Sequence, residues 1–239
     1  MSRITTRALA VSAAVWLTHT VAAQTNHLKL QSAEDRRDEY SVILRKVFKR
    51  IYGPDVVLST VCVPSFVPEE AGGILKTAQG YQIFAATPSA STWETEYSRF
   101  IKQAGPDGRE IPYNRAENLK KGLPYDYHGI KVRIQTRPVS VDLAERIKQI
   151  WQAKLLQSLH PPPGPDESER YIVTDGVSYY YSMPLQSHGT VTAEGQLISE
   201  NTPVWLMGEL SDKLISYAKG KASEDDLKKA VRRVESKKA

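Results

Sequence analysis

Val56 to Val63 is an apolar, largely β-branched run without a single charge, set between Pro54 and Pro64. It does not alternate polar with apolar residues, as a strand wet on one face does. It reads as a central strand covered on both faces. A chain built around such a strand must supply packing layers on both sides of a sheet.

The flanking segments supply helices. Ser32 and Asp35 resemble a capping box with a shorter acid. Tyr40, Ile43, Leu44, Val47, Ile51 and Tyr52 then recur at helical spacing until Gly53 ends the run. Arg45, Lys46, Lys49 and Arg50 fall off that stripe and read as a solvated face. Residues 67–75 read as a short helix weakened by Gly72 and Gly73, and residues 81–86 as a second strand. Ser91 and Glu94 form a capping box for a helix carrying Trp93, Tyr97, Phe100 and Ile101. This strand–helix–strand–helix order predicts that the first two strands are parallel.

Residues 105–129 form a long polar stretch with Pro106, Pro112 and Pro124, which reads as a loop serving binding or lacking order. Ile130, Val132 and Ile134 alternate with polar residues, as in a half-buried strand. Ser140 begins a helix with the stripe Leu143, Ile147, Ile150, Trp151, Leu155 and Leu159. Pro161, Pro162, Pro163 and Pro165 end it in a stiff connector, so 161–168 is the one candidate boundary in an otherwise single domain, 24–239. Asp175-Gly176 predicts a tight hairpin between residues 171–174 and 177–183, and residues 190–198 read as a third strand. Pro203 opens a helix bearing Leu206, Leu210, Leu214 and Tyr217, closed by Gly220. Ser223 and Asp226 open a last helix with Leu227, Val231 and Val234. The fold class is α+β: a mixed sheet with a central buried strand, flanking helices, a late β-hairpin and C-terminal helices.

The N-terminus bears on compartment. Arg3 and Arg7 precede the short apolar run from Ala8 to Leu17, and Val21, Ala22 and Ala23 place small residues before Gln24. That is the pattern of a signal peptide, residues 1–23, cleaved after Ala23. The apolar run has about half the roughly twenty residues that span a bilayer, and no later stretch reads as a transmembrane segment. The expectation is export, to the periplasm or beyond the cell. The mature chain would have 239 − 23 = 216 residues and, without Arg3 and Arg7, a net charge of +5 − 2 = +3. Cys62 is the single cysteine, so no intramolecular disulfide can form. A charge that small does not predict nucleic-acid binding.

Several fragments look like a group of uncharacterised exported bacterial proteins: Val63-Pro64-Ser65-Phe66-Val67-Pro68-Glu69, Gly80-Tyr81-Gln82-Ile83-Phe84, Ser91-Thr92-Trp93, and Asp175-Gly176-Val177-Ser178-Tyr179 with the Leu210–Tyr217 helix. They cover about a third of the chain. The resemblance implies export and brings no activity, cofactor or site.

The chemical motifs are sparse. His27, His128, His160 and His188 lack ligand spacing, and no Cys-x-x-Cys occurs, so no metal and no cofactor is assigned. No nucleophile elbow and no phosphate-binding loop is present. Cys62 lies in the most apolar strand and reads as an inert packing residue. Glu69 and Glu70 are adjacent and point apart in any regular element, which makes a catalytic carboxylate pair there poor. Tyrosines gather in one loop and one strand. Tyr179 and Tyr181 read as core. Tyr125, Tyr127 and Tyr180 read as a binding surface for a protein or sugar. The leading expectation is a non-catalytic binding protein of the bacterial cell envelope, with an unidentified envelope protein or ligand as partner. The alternative is a periplasmic hydrolase whose site is assembled from distant residues, with Asp126, His128 and Tyr180 as candidates. Neither oligomeric state nor the role of the basic C-terminal helix follows from the sequence.

Overall fold

The computed structural model describes residues 28–31, 39–65, 67–96, 102–104, 110–112, 122, 124, 126–159, 176–186, 188–196, 200 and 202–237. The fold is α+β. Seven strands form one sheet in the order β1-β9-β8-β2-β3-β4-β7. They are β1 (Lys29–Leu30), β2 (Val56–Pro64), β3 (Glu70–Thr77), β4 (Gly80–Pro88), β7 (Val132–Pro138), β8 (Val177–Leu185) and β9 (Gly189–Gln196). A separate pair joins β5 (Lys102–Ala104) and β6 (Glu110–Pro112). The helices are α1 (Glu39–Val47), α2 (Thr92–Glu96), α3 (Val141–Leu159), α4 (Pro203–Ala218) and α5 (Glu224–Ser236). Short 3-10 turns occupy Lys49–Tyr52 and Tyr127–Gly129.

β2 is the middle strand of the seven, as its uncharged run requires. Leu58 packs into one core, while Val56 and Val61 pack into another on the opposite face. The first core holds the stripes of the three long helices: Leu143, Ile147, Trp151 and Leu155 of α3, Leu206, Leu210 and Leu214 of α4, and Leu227, Val231 and Val234 of α5. Two of these helices have capped starts, of which the Ser223–Asp226 cap is the predicted one. The Thr202 hydroxyl accepts from the Trp205 N–H at 3.1 Å beside Pro203, and Ser223 and Asp226 cap each other reciprocally. The second core joins Tyr40, Leu44, Phe48 and Ile51 to Val61, Ala71, Phe84 and Ala86.

Four expectations are corrected. Residues 67–75 do not form a helix: β3 runs from Glu70 to Thr77. Gly72 and Gly73 weaken a helix, but in a strand they let other atoms come close, α4 through Ile215 on one face and the Phe84 ring on the other. The sheet is not mixed, because each strand pairing in it is antiparallel. β2 and β4 do run the same way, but β3 lies between them and pairs with both. The hairpin is also displaced. Both edges of β8 are occupied, by β2 and β9, and residues 171–174 lie outside the described residues. The chain reverses instead after Leu185, where Gly189 supplies a φ of +67° that a side chain disfavours.

Last, Tyr52 is not on the buried stripe. The chain tightens into a 3-10 turn after Phe48, and three residues per turn bring Phe48 and Ile51 inward while Tyr52 stays 42% exposed. The capping pairs at Ser32, the residues 97–101 and the connector 161–168 lie outside the described residues. The strands before and after that connector nevertheless share one sheet. Among the described residues, no helix is long and apolar enough to cross a membrane.

Candidate functional site

The second core leaves a cleft at its rim. α1 and its 3-10 turn form one wall, and the Tyr127–Gly129 turn with the start of β7 forms the other. The cleft holds about 830 Å³. Its floor includes Phe48, Ile51 and Ile130, all buried. Its rim is cationic: Arg45, Lys46, Lys49 and Arg50 on one wall and Lys131 on the other.

No acid is among the described residues lining this cleft. Nor, among the described residues, does any of these five cations sit in an ion pair. The Lys46 ammonium lies 5.3 Å from the Tyr127 ring centroid, a cation–π contact that bridges the walls. Like charges gathered along a concave surface focus a positive potential and raise the local concentration of anions. The spacing that removed these cations from the apolar stripe was legible in the sequence. That β7 and its preceding turn stand opposite was not, because 80 residues separate Lys131 from Ile51.

A second, smaller cleft of about 460 Å³ lies on the other side of α1. Arg45 and Lys49 line it too, facing Tyr52, Ser182, Thr190 and Thr192. The two clefts therefore share a basic ridge.

The residues singled out in the sequence divide. Tyr127 and His128 line the larger cleft. Asp126 stands beside them: its carboxylate accepts from the His128 backbone N–H at 2.9 Å and lies 3.3 Å from His128 Nδ1. That contact closes the turn, and the His128 side chain is 70% exposed. The Tyr127 and His128 rings lie 3.9 Å apart. Tyr180 is elsewhere. It is half-buried against the second core and borders a cavity of about 20 Å³ with Gln31, Ser41 and Val61. It does not line the cleft that holds Tyr127 and His128. Tyr125 lies outside the described residues. Tyr179 and Tyr181 are core residues, as their alternation predicts, and the Tyr179 hydroxyl donates to Asp212 at 2.8 Å.

The acids behave as sequence neighbours should. Glu69 turns into the protein, where it accepts from the Tyr40 hydroxyl and the Thr92 and Trp93 N–H groups. Glu70 turns the other way and pairs with Lys219, the residue that caps the C-terminus of α4. Each carboxylate is committed to packing elements together. Among the described residues, no cluster of three metal-ligating side chains occurs.

Cys62 is half-buried rather than fully covered, since it lies near the end of β2 opposite Glu70 and Tyr179. Burial pushes its thiol up from 9.0 to about 12, the nearby Asp212 carboxylate adds to this, and a hydrogen bond with Tyr179 opposes it. Native Cys62 should therefore react with iodoacetamide near neutral pH roughly a thousandfold more slowly than the unfolded chain, the ratio of the two thiolate populations. Mass spectrometry of labelled protein measures it, and comparable native and denatured rates would overturn it. The sign for stability follows. Below 9.0 both states keep the proton, but between 9.0 and about 12 the unfolded chain ionises first, so this thiol costs the fold stability as pH rises through that window.

No family model, no curated protein and no solved structure matches this chain. What the protein does must be read from the clefts.

Proposed function

We propose that this chain is an exported protein of the bacterial cell envelope that acts by binding an anionic partner in the cleft beside α1. One observation carries the reading: five cations line the cleft without an acid among its described residues. Such a surface repels its own charges, and an anionic occupant relieves that repulsion. The signal-peptide pattern of residues 1–23 supports the envelope as the place where the partner is met. The hydrolase alternative gains nothing from the geometry, because Tyr180 does not share a cleft with Asp126 and His128.

The test is retention of a component from envelope extract by the immobilised protein, with and without charge reversal at Lys46→Glu and Arg50→Glu. Both residues are exposed, so folding should hold within about 0.5 kcal/mol. Retention should fall by roughly tenfold or more in the double variant, since each reversed charge turns attraction into repulsion at the rim. Equal retention by both proteins would overturn the reading.

A further inference from the structure

We infer that the occupant of the basic ridge is an anionic glycan, a saccharide chain bearing carboxylate or other acidic groups, that runs through both clefts. The inference rests on the proposed binding function and names its ligand class. Two observations carry it.

The first is the shape of the charged surface. Arg45 and Lys49 line both clefts, so the positive ridge continues from one into the other. The larger cleft alone is the size of an ordinary small-molecule pocket, roughly 300–1,000 Å³. Two clefts sharing one charged wall suit an extended polyanion better than a single headgroup. Four of the cations lie within residues 45–50 on the shared wall, and Lys131 stands opposite them.

The second is the chemistry opposite the ridge. The smaller cleft is lined by the hydroxyl-bearing Thr190 and Thr192 and by the half-exposed Tyr52, while Ser182, also in its lining, is buried. A hydroxyl both donates and accepts, which matches the hydroxyls of a sugar. A tyrosine ring offers a flat apolar face for the C–H face of a pyranose and a hydroxyl at its tip.

Affinity electrophoresis of the mature protein tests this, with polygalacturonate, dextran sulfate, neutral dextran or poly-L-glutamate cast in the gel. Both anionic glycans should retard the protein and neutral dextran should not. Added salt should weaken the retardation by roughly tenfold, as screening requires. Lys49→Glu should weaken glycan binding about tenfold, because Lys49 lines both clefts. Tyr52→Ala should weaken it several-fold. Lys229→Glu makes the same change in net charge on α5, in the helical layer across the sheet, and should leave binding within about twofold if the ridge and not overall charge is responsible. Tighter binding to poly-L-glutamate than to either glycan would assign the ridge to an acidic polypeptide and overturn the inference. Equal weakening by Lys229→Glu, or equal retardation by dextran, would overturn it too. Should neither glycan bind while envelope extract still yields a component lost in the Lys46→Glu, Arg50→Glu variant, the glycan inference fails and the proposed binding function stands.

Discussion

Replacing Gly73 by alanine should destabilise the protein by about 3 kcal/mol or more, the upper end for overpacking. An added Cβ would lie 2.2 Å from the Leu58 carbonyl oxygen, 2.8 Å from the Phe84 ring and 2.9 Å from Ser59 Cα. Two of those three atoms are backbone of β2, the central strand, and neither can turn aside as a side chain can. Relief requires β2 and β3 to separate where their ladder is centred, between the Ser59–Gly73 and Thr60–Gly72 pairs. Gly72→Ala is the control. There the closest atom is Cγ1 of Ile215, at 2.6 Å, and a side chain can repack. The Gly72→Ala cost should shrink when Ile215 is trimmed to alanine, which removes Cγ1, whereas no trimming of Phe84 should rescue Gly73→Ala. Thermal unfolding of the four variants measures this, with a fall of about 2–4 °C expected per kcal/mol for a chain of this size. A Gly73→Ala protein that melts with the wild type would show that the strands are not so closely apposed.

The same glycines explain where the sequence was legible. The helical stripes of α3, α4 and α5 follow one period over three or more turns, and each lies where its period placed it. The central strand declared itself by lacking charge. β3 did not, because Ala71-Gly72-Gly73 has no side chains large enough to show a period of two, and what those positions accommodate comes from β4 and α4. Without β3, β2 and β4 read as consecutive strands, and the parallel expectation follows from that. The hairpin was misplaced for a related reason. Asp175-Gly176 is a strong local turn signal, but β2 outcompetes any local partner for that edge of β8, through six register pairs from Pro64–Val177 to Ser59–Ser182. The cleft was half legible. Its cations were visible on α1 but read as a solvated face, since only the tertiary fold brings Lys131 and Tyr127 across from them.

Glu69→Ala should cost about 3–5 kcal/mol, because it leaves several buried neutral donors without their acceptor at once. The side chain is 1% exposed. Its Oε1 accepts from the Tyr40 hydroxyl at 2.5 Å and the Trp93 N–H at 2.9 Å, and its Oε2 from the Thr92 N–H at 2.8 Å. Hydrogen bonds to a charged acceptor contribute about 1.5–3 kcal/mol each, and truncation would strand three donors at once. Water can reach the Trp93 side, where the ring is 46% exposed and meets Tyr40 edge-on at 5.6 Å, so the three losses should not add in full. Glu69→Gln should cost less, about 1–3 kcal/mol, because one amide oxygen still accepts while the amide N–H₂ confronts a donor. In a double-mutant cycle, Tyr40→Phe and Glu69→Ala should be coupled by about 1–2 kcal/mol, since each deletes the same bond. The consequence reaches the cleft. Glu69 ties α1, through Tyr40, to the first turn of α2, and both helices touch the Tyr127–Gly129 turn that forms the opposite wall. Glu69 lines neither cleft, yet its truncation should weaken binding at the basic ridge by loosening the wall that holds Arg45 and Lys49 in place. Full binding in a Glu69→Ala protein that has nonetheless lost stability would show that the ridge does not depend on how α1 is held.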